Sequence, residues 1–132
     1  MEACCSLDDD TFWQWNNPCL HVANKMFVER HSSVNDYEFN GLKVHCISGV
    51  YHPHETSSSR RIIQGLEKNL SSIGSQVLDM GTGSGVIGIF LAKTGRDVTM
   101  VDIDLQTLEC AKQNAIQNNV SVKLIQSDLF TQ

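Results

Sequence analysis

The sequence predicts an α/β fold built on a parallel sheet, and three observations predict it. From residue 76 onward, short runs rich in Val, Leu and Ile alternate with longer amphipathic stretches. A glycine-dense turn, GTGSG at 81–85, stands between the first short run and the apolar stretch VIGIFLAK. Each short run closes near an aspartate: Asp79, Asp102 and Asp128. Strands alternating with helices imply βαβ units, and right-handed crossovers bring the three strand ends to one edge of the sheet.

The elements follow in order. Residues 1–16 are acidic and then aromatic, and Phe12, Trp13 and Trp15 keep no clear period. The two tryptophans read as packing residues rather than a substrate platform. Asn17-Pro18 has the form of an N-cap followed by proline at the first helical position. Leu20, Ala23, Met26 and Phe27 then recur at helical spacing, which predicts a helix over about 18–30. YEFNGLKVHCIS at 37–48 predicts a β-hairpin. Asn40-Gly41 suits the positive φ angles of a tight turn, and Tyr37, Phe39, Leu42, Val44 and Cys46 alternate on either side.

GVYHPHE at 49–55 reads as a loop, and Glu55 and Thr56 as the start of a helix over about 56–70 with Ile62, Ile63, Leu66 and Leu70 on one face. Gln76–Met80, Val98–Val101 and Val122–Ile125 are the three strands. Val86–Lys93 is an apolar helix, and Leu105–Asn118 an amphipathic one with Leu108, Ala111, Ala115 and Ile116 inward. Asp104 reads as the N-cap of the latter. Three strands are few for a doubly wound sheet. Either the hairpin or a partner covers the open edge, or the chain is the front part of a longer protein.

Composition sets outer bounds. Apolar residues make up 41% and charged residues 19% of the 132, a globular balance sufficient for one core. Ten basic against fifteen acidic residues leave a net charge of −5, which disfavours nucleic acid held by charge alone. The N-terminus lacks a basic, apolar leader and no stretch approaches a membrane span, so a cytoplasmic protein is expected, with no membrane partner. The five cysteines, Cys4, Cys5, Cys19, Cys46 and Cys110, are irregularly spaced and fit a reducing compartment. Cys110, inside an amphipathic helix, reads as structural. Cys19/His21, His45/Cys46 and His52/His54 lack the paired spacing of a metal site, and no metal is expected.

Two motifs overlap at the turn. Gly81-Thr82-Gly83-Ser84-Gly85 is G-x-G-x-G, and Gly83 to Gly88 is G-x-G-x-x-G, the dinucleotide fingerprint. Asp102, 19 residues after Gly83, can reach ribose hydroxyls under either reading. The glycine count leaves both open. Register favours Gly81 as the first glycine, because the strand then runs directly into it. Charge favours a cationic ligand: Asp79, Asp102 and Asp128 converge, and residues 77–92 contain no Lys or Arg. A pyrophosphate is repelled there, although a helix N-terminus offers some relief. S-adenosylmethionine (SAM) brings an ammonium, a sulfonium, a carboxylate for the helix N-terminus and a ribose diol for Asp102.

VLDMGTGSG (77–85), VDID (101–104) and SDLF (127–130) resemble the successive SAM-binding motifs of class I methyltransferases, in the same order and spacing. Within that superfamily, YEFNGL (37–42) and PHET (53–56) resemble the hairpin and loop segments of release-factor glutamine methyltransferases and their small-domain relatives. The second match is looser, because the relatives carry Arg-Pro before Glu-Thr. The resemblance covers about residues 37–132. It implies a Rossmann-like fold with an incomplete sheet, preceded by a helix and a hairpin. Residues 1–55 would form the N-terminal segment, and 56–132 a SAM-binding subdomain that stops before the fourth strand.

The resemblance also implies roles. Asp79 faces the methionine amino group, and Gly81, Thr82, Gly83 and Gly85 form the loop that wraps the cofactor. Asp102 accepts from the ribose hydroxyls, and Ile103 packs on the adenine. Asp128 accepts from the adenine amino group, with Leu129 beside the ring. Against these stand plainer readings: Asp79 as a cap of the following helix, and Asp128 as a turn residue.

The family's Asn-Pro-Pro-aromatic loop, which holds the substrate amide in line with the methyl group, has no counterpart here. The only Asn-Pro is Asn17-Pro18, and no His, Cys or Lys stands out as a replacement base. Three readings follow: the cofactor-binding portion of a methyltransferase, a non-catalytic SAM-binding regulatory module, and an NAD-binding oxidoreductase domain. The first is preferred. Its expected acceptor is a glutamine side chain in a protein such as a translation factor, and its alternative an amino group of a nucleobase. Oligomeric state is not readable.

Overall fold

In the computed structural model the described residues are 31–129 together with Lys25, Val28 and Glu29. Of the helix predicted over 18–30, only those three residues are described. The rest of it, with Phe12, Trp13, Trp15 and the Asn17-Pro18 start, lies outside the described residues.

The hairpin forms where the alternation predicts it. Strand β1 (Asn35–Phe39) pairs antiparallel with β2 (Leu42–Cys46), with Tyr37 opposite Val44 and Phe39 opposite Leu42. Asn40 and Gly41 take φ of 50° and 76°, the left-handed pair that matches strand twist in a two-residue turn. Phe39, Leu42, Val44 and Cys46 bury one face of the hairpin.

Helix α1 (Ser58–Lys68) then runs into a 3₁₀ turn at Leu70–Ser72. It starts later than expected, since Glu55 and Thr56 lie in the preceding turn. Ile63 is fully buried, which is worth roughly 1.5–3 kcal/mol of transfer free energy. Ile62, expected beside it on the inner face, is 47% exposed and borders a cavity. A step of about 100° from Ile63 carries it off the buried stripe.

The parallel unit follows: β3 (Gln76–Met80), α2 (Val86–Lys93), β4 (Asp97–Asp102), α3 (Leu105–Gln117) and β5 (Lys123–Gln126). Strand order is β3-β4-β5, all parallel, with Leu78 opposite Thr99 and Met100 opposite Leu124. α2 is apolar nearly all round because it is enclosed: Val86, Gly88, Ile89 and Leu91 are buried. Val98 and Met100 of β4 meet it from the sheet, and the same core takes in Phe39, Val44, Ile63, Ala111 and Ala115. The other sheet face carries Leu78 and Ile125, both exposed, and no described helix covers it.

Two expectations need correction. The hairpin does not cover the edge of the parallel sheet. It is a separate two-stranded sheet, and its β2 edge docks against α3. Nor is Ile116 inward; it is 65% exposed. The buried stripe of α3 runs through Leu108, Ala111, Asn114 and Ala115, so a fully buried amide lies where an apolar side chain was expected.

Candidate functional site

β3 leads without a break into the glycine turn, as the register argument required. Gly81, Gly83 and Gly85 all adopt positive φ, 70°, 57° and 87°. A side chain in this region costs roughly 1–2 kcal/mol per residue. The turn is pinned to β4, because the N–H groups of Gly81 and Thr82 both donate to the Val101 carbonyl at 2.8 and 2.9 Å. Gly85 N–H donates to Thr82 O at 2.9 Å. Gly85 also lies against α3: a Cβ there would stand 3.1 Å from the Ala111 Cβ. Gly88 admits even less, as its Cβ would meet Met100 Cε at 2.6 Å and Asp79 Oδ2 at 3.0 Å. The third glycine of the G-x-G-x-x-G pattern thus serves close packing of helix on sheet.

The carboxylates come together at this turn. Asp79 Oδ2 accepts from the Thr82 hydroxyl at 2.7 Å and from Gly88 N–H at 3.0 Å, in the first turn of α2. The capping role weighed for Asp79 is therefore present in the structure. Burial holds its carboxyl above the ordinary carboxylate range, and the charge of Asp102 adds in the same direction. Asp102 Oδ2 accepts from Gly83 N–H at 3.1 Å and its Oδ1 from Asp104 N–H at 3.2 Å. Asp104 caps α3 as expected, accepting from Thr107 N–H at 2.9 Å and the Thr107 hydroxyl at 2.7 Å. Those two bonds, the hydroxyl's first, lower its pKa.

Two cavities flank the glycine turn. The larger, about 460 Å³, lies between the turn and the start of α1, and Asp79, Gly81, Thr82 and Gly83 line it with Tyr51, Ser58, Ser59 and Ile62. The smaller, about 160 Å³, lies between the ends of β4 and β5 and is lined by Gly81, Asp102, Ile103, Asp128 and Leu129, among others. Among the described residues, no Lys, Arg or His lines either. Ile103 and Leu129 are 63% and 64% exposed, two large apolar side chains at the lip of one groove. Leu129 takes φ of 56°, an uncommon backbone for a branched residue and a mark of local constraint.

Eight of the nine residues expected at the site line one cavity or the other. Gly85 lines neither, and its positive φ and contact with Ala111 make it a packing glycine. Sequence reasoning missed Tyr51, Ser58, Ser59 and Ile62, which reach the larger cavity from the segment before the sheet. The readable signal was the serine-rich start of α1, whose N-cap Ser57 makes no side-chain capping bond. The Ser57 hydroxyl instead accepts from His54 N–H at 3.2 Å.

Comparison with known proteins locates this architecture. Residues 41–132 match the methyltransferase small domain family. Among curated relatives, the release factor glutamine methyltransferase of Streptococcus pneumoniae is 38% identical over 104 residues, covering 75% of this chain and 36% of that protein. The ribosomal RNA small subunit methyltransferase C of Buchnera aphidicola is 30% identical over 104 residues, covering 76% of this chain and 29% of that protein. The chain thus spans about a third of the length of these relatives. Among solved structures, a T. thermophilus 16S rRNA methyltransferase in complex with AdoMet and guanosine superposes with a TM-score of 0.60 at 24% identity, over 72% of this chain and 27% of that one. At that identity the likeness shows a shared fold.

Proposed function

The chain belongs to the methyltransferase small domain family, and on that premise we propose that it is the SAM-holding part of a methyltransferase whose acceptor is a glutamine side chain in a protein. The observation that carries the cofactor half is the pair of cavities on either side of Gly81–Gly85, lined by three aspartates and, among the described residues, by no cation. A cationic adenosine compound is favoured in such a place and a pyrophosphate is not.

The residues present fit SAM part by part. Asp102, at the end of β4, accepts from the ribose diol. Ile103 would pack on the adenine, with Leu129 beside the ring, and the exposure of both would then be relieved. Asp128 accepts from the adenine amino group. Asp79 and Thr82 border the larger cavity, where the ammonium is held. Ser58 and Ser59 open α1 onto the same cavity, and the side chain of the N-cap leaves their N–H groups to a carboxylate. SAM supplies an electrophilic methyl group on sulfur. This chain's own residues bind and orient its carrier.

The acceptor assignment rests on the YEFNGL hairpin and on the closer identity to the glutamine methyltransferase than to the ribosomal RNA enzyme. The net charge of −5 supports a protein acceptor over a polyanion. Calorimetry with S-adenosylhomocysteine and with NAD tests the cofactor. Binding of the first is expected, and binding of NAD alone overturns the assignment. For the acceptor, the loaded chain is titrated with a labelled glutamine peptide and with a 16S rRNA fragment. A preference for the RNA at physiological salt overturns the protein assignment.

A further inference from the structure

Asn114 is a wholly buried amide in the last turn of α3. Asparagine is a poor residue for a helix interior, and burying an unsatisfied amide costs several kcal/mol on a water-to-hydrocarbon scale, roughly 4–8. Every hydrogen-bonding position of this amide is filled. Its Oδ1 accepts from His45 N–H at 2.7 Å and from Gln117 Nε2 at 2.8 Å. Its Nδ2 donates to His45 O at 2.9 Å and to Ser84 O at 2.8 Å. One turn later Asn118 repeats half of the pattern: Oδ1 accepts from Lys43 N–H at 2.9 Å, and Nδ2 donates to Lys43 O at 2.7 Å.

The spacing explains why two asparagines suffice. Residues i and i+4 on a helix lie about 6 Å apart, and alternate residues of a strand about 6.6–6.8 Å apart. Lys43 and His45 are the β2 residues whose backbone groups face away from β1, so each amide replaces the peptide group of a further strand. The Cys110 thiol adds a second donor to His45 O at 3.0 Å.

Only Asn114 goes on to the glycine turn. The Ser84–Gly85 peptide is held at both ends, its carbonyl by Asn114 and its N–H by Thr82 O at 2.9 Å. That peptide sets the φ of Gly85 and the exit of the turn into α2. We propose that Asn114 is a positioning residue for the cofactor turn: it couples the seating of the hairpin on α3 to the orientation of the Ser84–Gly85 peptide, so that cofactor affinity depends on the docked hairpin. This rests on the reading that the turn binds SAM.

The test compares Asn114→Ala with Asn118→Ala, reading the melting temperature, the affinity for S-adenosylhomocysteine and amide hydrogen exchange at Gly85. Both variants loosen the hairpin and lower the melting temperature. Asn114→Ala is expected to weaken S-adenosylhomocysteine by roughly tenfold, the loss of one buried hydrogen bond, and to speed exchange at Gly85. Asn118→Ala is expected to stay within about twofold of the parent affinity, with Gly85 exchange unchanged. Equal affinity losses in the two variants, or a lowered melting temperature in Asn114→Ala with unchanged affinity and exchange, overturns the proposal. Should Asn114→Ala fail to fold, Asn114→Ser leaves a smaller cavity and is read the same way. If the parent chain binds no S-adenosylhomocysteine, the SAM reading fails, and Gly85 exchange in the two variants still decides the coupling.

Discussion

Replacing Gly88 by alanine sets two effects of opposite sign against each other. Gly88 lies inside α2 with an ordinary helical backbone, and on propensity alone Gly→Ala there stabilises by roughly 1 kcal/mol. The packing opposes it. The new Cβ would stand 2.6 Å from Met100 Cε and 3.1 Å from Met100 Cγ, and Met100 is itself fully buried, so its side chain must shift within the core. Overpacking of this kind costs about 1–3 kcal/mol. The Cβ would also stand 3.0 Å from Asp79 Oδ2, the atom that accepts from Gly88 N–H, and displacing that carboxylate loses a hydrogen bond worth about 1.5 kcal/mol. The packing side wins, and the variant is expected to be about 2–3 kcal/mol less stable than the parent. Urea denaturation measures it as a lower midpoint at unchanged slope. Pairing Gly88→Ala with Met100→Val, which removes the clashing Cε, should show a coupling energy that returns part of the loss. A Gly88→Ala chain as stable as the parent, or more so, would refute the close-approach argument.

The remaining predictions concern the aspartates. Burial raises the Asp79 pKa, so its contribution to stability is present below the ordinary carboxylate pKa and is lost as pH rises through the folded value. Asp79→Asn should therefore be at least as stable as the parent at neutral pH, with a flatter pH dependence, while binding SAM more weakly; a variant clearly less stable at pH 7 counts against this. Asp104 is the opposite case: its pKa is lowered by the Thr107 hydroxyl, so its contribution is present above the ordinary carboxylate pKa and is lost as pH falls through the folded value. The melting-temperature deficit of Asp104→Ala should be present at neutral pH and shrink in acid, and a deficit independent of pH would mean that the cap bond to Thr107 is not its source. Asp102→Ala should weaken SAM more than about tenfold in a calorimetric titration, since a charged acceptor for the ribose and the anchor of Gly83 N–H go together; unchanged affinity removes Asp102 from the site.

Much of the fold was legible because its signals are local. Asn40-Gly41 marks its turn by backbone chemistry, and Val77-Leu78 running into Gly81 marks a strand end by register. Asp104 three residues before Thr107 marks a cap. The site was legible for the same reason, since the ends of β3, β4 and β5 fall where short-range pattern places them. What stayed hidden depends on partners far along the chain. Nothing local marks Asn114 as buried; the partner that holds it there, His45, lies 69 positions earlier. Ile116 reads as a core residue because it is apolar, yet the helix turns it outward and gives an inner place to the Asn114 amide. Tyr51 and Ser58 border the larger cavity only because α1 packs beside α2, a long-range contact that no local spacing announces.

The asparagine pair on α3 has one more consequence. A strand whose outer row of peptide groups stays open is a template on which another chain can add, and proteins commonly blunt such rows with charge, proline or bulges. Here the row is closed by amides from a helix, which hold the four backbone groups of Lys43 and His45. The β2 edge is thereby withdrawn from recruitment by neighbouring molecules, and a chain stripped of both amides would present that row to any strand that met it.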